Sequence, residues 1–161
     1  MISSAPPFPH HRANPAALVV AAFAAIARTR MAGLPIVNPA LEVAVPLMRA
    51  HLGEWLGVLV TPWAISLVLL PGGGGQFRAL GADETQTWKF ASGEYDFIGN
   101  DEPELGPYQS CSLFSPVLEF VDQASAEATA RAALEALDRP ADPTTPGRRA
   151  FLRGTFFGAQ P

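Results

Sequence analysis

The single thiol of the chain, Cys111, is the residue best suited to nucleophilic or redox chemistry, and it lies between Ser110 and Ser112. A nucleophilic thiol needs a nearby base or a helix N-terminus that lowers its pKa, and among the histidines His51 is the one candidate base. Cys111 also alternates with polar neighbours as a core-facing strand residue does, and buried free cysteine is common. The pattern favours a core residue, with a thiol-dependent enzyme or redox sensor as the alternative.

Metal, carboxylate and phosphate chemistry find little support in the residue types or their spacing. One cysteine cannot close an intrachain disulfide or build a thiolate cage, and His10 and His11 are adjacent in a proline-rich start. The acidic pairs at 83–84 and 101–102 fall in predicted loops, where solvated charge is the ordinary explanation. The glycines at 72–75 lack the Lys-Ser/Thr ending of a phosphate loop, which predicts a flexible turn. We therefore predict no cofactor and no metal.

The composition is that of one globular domain. The chain has 161 residues, 11 basic and 15 acidic side chains and a formal charge of −4. Hydrophobic residues make up 48% and charged residues 16%, which is enough apolar material for a core without disulfides or metals. The arginines are scattered singly, so there is no basic stripe for phosphates and nucleic acid is excluded as a partner.

An apolar run at 15–27 admits two interpretations. With Arg12 upstream and small residues at its end, it is similar to a secretory signal peptide, which makes an exported protein the alternative. It is too short for a bilayer span, which needs about 20 apolar residues. Asn14 as N-cap and Pro15 at the first helical position favour a helix, with a buried stripe of Val19, Phe23 and Ile26. We predict a cytoplasmic protein without stable membrane insertion.

Short apolar and alternating segments predict the elements that must position these residues. Strands are predicted at 41–47, 55–60, 65–70, 85–90, 94–98 and 108–114. A second helix starts at the predicted cap Ser125 and buries Ala130, Leu134 and Leu137. The fold class is therefore α+β: a single domain with an antiparallel sheet of about five to six strands, flanked by an N-terminal and a C-terminal helix. We predict a disordered Pro-rich start at 1–13, one domain at 14–154 and a flexible tail at 155–161.

Aromatic side chains next to predicted turns are the least ordinary feature of the sequence. They are Trp55, Trp63, Phe77, Phe151, Phe156 and Phe157. An exposed apolar patch in a soluble protein usually marks a partner surface, and Trp anchors binding energy well. For Trp55, in a buried strand, the pattern favours the core. For Trp63, in a turn, core and partner surface are equally supported.

Three segments resemble the signatures of the HybE-type nickel-iron hydrogenase assembly chaperones, in the order found in that family. They are GEWLGVLVTPW at 53–63 with SLVLLPG at 66–72, YQSCSLFSP at 108–116, and GRRAFLRG at 147–154. Three motifs in the right order are far more specific than any one of them. The resemblance covers the chain from the first predicted helix to Gly154.

The resemblance implies a non-enzymatic cytoplasmic chaperone that engages a hydrogenase subunit precursor and prevents its premature export. The expected client is the small-subunit precursor with its twin-arginine leader; the large subunit and other maturation proteins are further candidate partners. The client-binding residues that we predict are Trp55, Thr61, Pro62, Trp63, Cys111, Ser112, Ser115, Pro116, Arg148 and Arg149. Acidic residues at 101, 102 and 104 are expected to meet the arginines of the leader.

The segment at 148–153 itself resembles the twin-arginine export motif. It lies near the wrong end of the chain and no apolar span follows it, so it cannot act as a leader. One hypothesis is that Arg148 and Arg149 mimic the client's leader and occupy its site until a client displaces them. The favoured interpretation is a structural role, in which both arginines pair with carboxylates or carbonyls.

Overall fold

The computed structural model of the protein describes residues 8–81 and 83–140. The helices and strands in chain order are α1 (Ala16–Arg28), β1 (Ala44–His51), β2 (Glu54–Thr61), β3 (Ala64–Leu70), β4 (Thr85–Phe90), β5 (Gly93–Glu102), β6 (Gly106–Phe114) and α2 (Gln123–Ala136). The six strands form one antiparallel sheet in the order β1-β2-β3-β6-β5-β4. The predicted α+β fold, an antiparallel sheet flanked by an N-terminal and a C-terminal helix, is confirmed.

The central strands β2 and β3 are apolar on both faces because each face of the sheet carries a helix. On one face, residues such as Leu56 and Leu67 form a core cluster with the apolar side of α2. On the other face, Leu59 and Val68 form a second cluster with α1. A strand buried on both faces reads as a continuous apolar run, which explains why these two strands are clear in the sequence.

Helix α1 begins one residue later than the sequence predicts, and its local hydrogen bond explains the start. Asn14 Oδ1 accepts a hydrogen bond of 2.9 Å from the backbone N–H of Ala16, while Pro15 is the capping position. Val19 and Phe23 are buried, and the Phe23 ring meets Tyr108 edge to face at 6.0 Å. The helix thus packs over β1 and β2 and forms one core cluster with residues of β3 and with Tyr108 of β6.

Helix α2 is capped by Asp122 rather than by the predicted Ser125. The Asp122 carboxylate accepts a hydrogen bond of 2.8 Å from the backbone N–H of Ser125, and the helix begins at Gln123. A carboxylate satisfies a free backbone donor at a helix start as well as a hydroxyl does, and sequence alone does not choose between the two. The predicted buried stripe of Ala130, Leu134 and Leu137 is confirmed.

Of the start of the chain, for which the sequence predicts a disordered segment at 1–13, the structure describes residues 8–13, and residues 1–7 lie outside the described part. From Phe8 onward it lies against the sheet: the Phe8 and Phe77 rings pack edge to face at 5.5 Å. The backbone of His11 donates to Pro71 O and accepts from Trp55 Nε1, both at 2.8 Å. Proline-rich segments lack periodicity, so these contacts leave no signal in the sequence.

The two edge strands of the sheet, β1 and β4, contact each other on the α2 side through the ring of His51. This residue ends β1, and its ring stacks on Phe90 at the end of β4 with centroids 4.7 Å apart. Its Nε2 is buried and has no hydrogen-bond partner among the described residues. Desolvation by burial and the charge of Arg49 lower the pKa of His51, and the charge of Asp138 only partly opposes them. The imidazole of His51 is therefore neutral in the folded protein at neutral pH.

This lowered pKa predicts a loss of stability in mild acid. As the pH falls below about 6.5, the unfolded chain takes up a proton on His51 before the folded chain does, so the free energy of unfolding decreases. His51→Phe keeps an aromatic ring against Phe90 and removes the titration. We expect denaturant unfolding to show a stability drop between pH 7 and 5.5 in the wild type and a flatter profile in the variant. Parallel profiles would contradict the assignment.

Candidate functional site

The turn between β2 and β3 is held in a defined shape by Thr61. Its Oγ1 accepts hydrogen bonds from the backbone N–H groups of Trp63 (3.3 Å) and Ala64 (3.0 Å), and it donates one to Ala64 O at 3.0 Å. Thr61 and Pro62 are buried, whereas Trp63 is half-buried and packs against the core cluster under α1. Threonine favours such local side-chain bonds in turns. Of the three predicted site residues in this turn, Thr61 and Pro62 therefore shape the turn, and Trp63 keeps part of its side chain exposed.

Trp63 lines a cavity of about 70 Å³ between α1 and the sheet. The other lining residues are Phe23, Leu59, Thr61, Ala64, Ser66, Val68, Tyr108 and Ser110. Aromatic rings and aliphatic side chains supply most of the wall, and serine hydroxyls from two strands supply polar groups. Burial and the charge of Glu102 raise the pKa of Tyr108 to about 12, so its phenol is neutral. An uncharged, half-open cavity of this size suits a small apolar side chain with a polar backbone beside it.

Asn38 joins the turn to two loops at this end of the sheet. Its backbone N–H donates to Pro62 O at 2.7 Å. Its side-chain Nδ2 donates to Val117 O at 3.0 Å and to Phe120 O at 2.8 Å, while Oδ1 accepts from Ala40 N at 2.9 Å. Asn38 is buried, and the sequence gives no sign of its role because its partners lie up to 82 residues away.

Four exposed apolar side chains lie on the two loops that Asn38 joins. They are Leu34 (42% exposed), Ile36 (45%), Leu118 (54%) and Val121 (81%). Each lies within four residues of an Asn38 hydrogen bond. Sequence analysis missed them because they belong to no periodic segment, and apolar residues in loops are ordinary when taken singly.

Trp55 lies at the other end of the β2–β3 hairpin from Trp63. Trp55 pairs with Leu70 at the open end of the hairpin. Trp63 lies in the turn at the closed end, where Thr61 pairs with Ala64. Trp55 is half-buried on the α1 face, and its indole N–H is bonded to His11 O. The structure therefore gives Trp55 a local role in holding the start of the chain and does not bring it to the cavity.

Cys111 faces the opposite side of the sheet from the cavity. It pairs with Leu67 and packs against the cluster under α2. Desolvation by burial, together with the charge of Asp96, raises the pKa of Cys111 to about 11. A reactive thiol has a lowered pKa, so this environment favours the core interpretation over the nucleophile.

We expect Cys111 to react slowly with alkylating agents. A pKa two units above the ordinary value leaves about 100-fold less thiolate at pH 8 than a free cysteine has, and partial burial slows access further. The alkylation rate with iodoacetamide, native against denaturant-unfolded protein, measures this directly. A native thiol as reactive as the unfolded one would reopen the thiol-enzyme alternative, and full biological activity of a folded Cys111→Ala variant would remove it.

The remaining predicted residues are dispersed. Ser112 pairs with Ser66 and is exposed on the cavity side of β6. Ser115 and Pro116 are joined by a cis peptide bond and are exposed. They lie in the loop whose carbonyls at Val117 and Phe120 accept hydrogen bonds from Asn38. Arg148 and Arg149 lie outside the described residues. Thr61, Pro62, Trp63, Ser115 and Pro116 are thus brought to one end of the sheet, where the end of β6 pairs with the start of β3.

The four-glycine segment after β3 is not the flexible turn that the sequence predicts. It wraps around the carboxylate of Glu54, which is 1% exposed. Glu54 accepts hydrogen bonds from the backbone N–H groups of Gly72 (2.7 Å), Gly74 (3.3 Å), Gln76 (2.7 Å) and Phe77 (2.9 Å). Desolvation by burial raises the pKa of Glu54, but these four donors outweigh it and hold the pKa below its ordinary value. A cradle of backbone N–H groups binds anions, and here the anion is a side chain of the chain itself.

Glycine is required in this cradle because two backbone segments approach each other closely. A Cβ on Gly74 would collide with Leu52 O and would lie 2.7 Å from the Cα of Gly53. Only a residue without a side chain permits this approach.

The acidic residues that we expect to meet the arginines of a leader lie at the end of the sheet opposite the β2–β3 turn. Asp101 and Glu102 end β5 and Glu104 lies in the connection to β6, whereas β6 comes next to this turn only at Phe114, which pairs with Ile65. Glu102 is paired with Arg30 at 2.8 Å. The charge of Glu102 also acts on Tyr108, which lines the cavity together with Trp63, so this carboxylate lies close to one part of the cavity.

The part of the chain that the structure describes holds no group of three or more His, Cys, Asp or Glu placed to bind a metal ion. Over the same residues, neither α1 nor α2 is long and apolar enough to cross a membrane.

Comparison with known proteins places these features in a family context. A family described as "NiFe-hydrogenase assembly, chaperone, HybE" matches residues 14–154. Protein HoxT of Cupriavidus necator is 42% identical over 153 residues, which span 85% of this chain and 84% of that protein. The hydrogenase expression/formation protein HupJ of Bradyrhizobium diazoefficiens is 39% identical over 86% of this chain and 87% of its own. The solution structure of HybE from Escherichia coli superposes with a TM-score of 0.66 at 28% identity, covering 88% of this chain and 90% of that one.

Proposed function

The chain belongs to the HybE family of nickel-iron hydrogenase assembly chaperones, and from this we propose that it binds the precursor of a hydrogenase small subunit in the cytoplasm. Binding withholds the precursor from export until its cofactors are in place. The twin-arginine leader of the precursor is the segment that the chaperone recognises. The large subunit is the second candidate client.

The observation that carries this proposal is the half-open cavity beside Trp63. It accepts an apolar side chain against aromatic walls, and the serine hydroxyls of β3 and β6 are placed to bond the backbone that carries that side chain. Tryptophan buries a large area with few rotatable bonds, which makes it a strong binding anchor. The site holds a segment and does no chemistry on it, in keeping with a buried thiol of raised pKa at Cys111.

Trp63→Ala tests the cavity as the client site. We expect the variant to lose at least about tenfold in affinity for the precursor, because the exposed part of the indole no longer contributes apolar contact. Trp55→Ala is the matched control: it removes a half-buried Trp from the same hairpin and the bond to His11 O. The control should lose thermal stability and keep its affinity. Equal losses of affinity in the two variants would contradict a specific role for Trp63.

Co-purification tests the identity of the client. The tagged chain is recovered from cells that produce a nickel-iron hydrogenase, and the retained subunits are identified by mass spectrometry. We expect the small-subunit precursor with its leader still attached. Recovery of the large subunit alone would replace the proposed client, and recovery of no hydrogenase subunit would contradict the proposal.

Arg148 and Arg149 remain part of the proposed site. Two hypotheses stand: the pair mimics the leader, or it supports the tail by pairing with carboxylates and carbonyls. Replacing both by glutamine in the full chain separates them. A mimic predicts tighter precursor binding, whereas unchanged binding supports a purely structural role.

A further inference from the structure

We infer that residues 24–37, which we call the strap, are a movable segment beside the cavity at Trp63, and that the ion pair between Arg30 and Glu102 holds the strap closed. The strap comprises the C-terminal end of α1 and the first part of the connection to β1. The inference rests on the proposed function and deepens it, because the strap regulates how readily a client enters that cavity. A segment that opens and closes beside a binding site controls the rate of entry.

The strap meets the border of the cavity at three points. Phe23, the residue before the strap, lines the cavity. Arg30, in the middle of the strap, pairs with Glu102 at 2.8 Å, and the charges of both residues act on Tyr108, which also lines the cavity. Asn38, the residue after the strap, donates its backbone N–H to a carbonyl of the β2–β3 turn at 2.7 Å. Both ends of the strap and its middle therefore lie at residues that line or adjoin the cavity.

Between these points the strap is weakly held. No residue of the strap is buried, whereas Val19, Ala22 and Phe23 in the preceding turns of α1 are buried. The backbone hydrogen bonds that residues 29–37 donate within the described structure all end on carbonyls of the strap itself. A Cβ added at Gly33 would meet no atom within 4 Å, so this part of the strap lies in open space. A segment with few buried contacts opens at a low cost in free energy.

The ion pair between Arg30 and Glu102 is the contact that ties the strap to the sheet. Among the described residues it is the single hydrogen bond or ion pair that a side chain of the strap makes with a strand. The Glu102 side chain is 18% exposed and the Arg30 side chain is 60% exposed, so the carboxylate is held by the sheet and the guanidinium is free to leave it. Exposed ion pairs contribute little free energy and are screened by salt, which makes this contact easy to break.

A closed strap reduces the fraction of molecules that can accept a client. When only a fraction of the molecules is open, the apparent affinity for the client falls by that fraction. An exposed ion pair shifts such an equilibrium by a small factor, so loss of the Arg30–Glu102 pair should raise the open fraction about two- to fivefold. The association rate of the client should rise with the open fraction.

Cleavage by trypsin after Arg28 and Arg30 measures opening of the strap in the full chain without any client, because a protease cuts a locally opened segment. We expect Glu102→Gln, which keeps both arginines, to speed this cleavage about two- to fivefold. Glu94→Gln is the matched control: it breaks the ion pair between Lys89 and Glu94 on the β4–β5 hairpin and should leave the cleavage rate unchanged. Equal cleavage rates in the two variants would overturn the inference.

The association rate of the purified small-subunit precursor tests the effect on entry. Arg30→Gln and Glu102→Gln should each associate faster than wild type by the same factor, and the double variant should be no faster than either, because all three lack one and the same pair. An unchanged rate, or slower association of either single variant, would overturn the inference. Wild type that binds no precursor would contradict the proposed function, whereas the cleavage rates would still show whether the ion pair holds the strap.

Discussion

Replacing Glu54 by glutamine is expected to lower the free energy of unfolding by about 3 kcal/mol at pH 7. The carboxylate is buried and accepts hydrogen bonds from four backbone N–H groups between Gly72 and Phe77. An amide has one acceptor oxygen, and its NH₂ group would face donors, so several buried N–H groups would lose their partner. For a chain of this length the loss corresponds to a melting temperature lower by about 6–12 °C.

The pH dependence of the same variant identifies the charge as the cause. Because the pKa of Glu54 is lowered in the folded state, its contribution is complete above about pH 4.5 and disappears as the pH falls through the folded-state pKa. The difference in stability between wild type and Glu54→Gln should therefore shrink below pH 4.5. Glu104→Gln, at an exposed position, is the control and should change stability by less than about 0.5 kcal/mol. A constant difference at all pH values would show that shape, and not charge, is responsible.

Replacing Asn38 by alanine is expected to cost about 3 kcal/mol and also to weaken client binding. The substitution leaves Val117 O and Phe120 O without their side-chain donor and Ala40 N without its acceptor. The loops beside the turn that holds Trp63 then lose the side chain that joins them. Binding should weaken by at least about tenfold even at temperatures where the variant is fully folded, because the loops must be ordered on binding.

Asn14→Ala is the control for the asparagine. Asn14 is exposed before α1, and its side chain accepts a hydrogen bond from Ala16 N at 2.9 Å and donates one to Met48 O at 3.3 Å. The control should lose about 1 kcal/mol of stability and keep its affinity. Denaturant unfolding of both variants measures the loss of stability, and a precursor-binding assay on both measures the loss of affinity. An Asn38→Ala variant that binds as tightly as wild type would mean that the loops hold their arrangement without the asparagine.

The elements with strong local patterns were predictable from the sequence. The continuous apolar runs of β2 and β3 and the Thr61–Ala64 turn between them appear where the sequence places them. The aromatic hairpin of β4 and β5 also follows its prediction, with Trp88 opposite Tyr95. In each case neighbouring residues carry the signal, either through alternation or through cross-strand pairs a few positions apart.

The groups that hold the candidate site together were not predictable, because their partners are distant in sequence. Asn38 bonds residues 79 and 82 positions away. Glu54 reads as a polar residue at the start of an apolar run, and the glycines read as a flexible turn; only the fold brings the carboxylate to their N–H groups. The Asp122 cap was missed for a different reason, since Asp122 and Ser125 are both good capping residues three positions apart.

The affinity of the purified chain for the hydrogenase small subunit, with and without its leader, is the decisive measurement of leader recognition. Both forms are titrated against the full chain by calorimetry under the same salt and pH. We expect the precursor to bind and removal of the leader to weaken binding by at least about tenfold. Equal affinity for the two forms would contradict recognition through the leader and would assign the interaction to the folded body of the subunit.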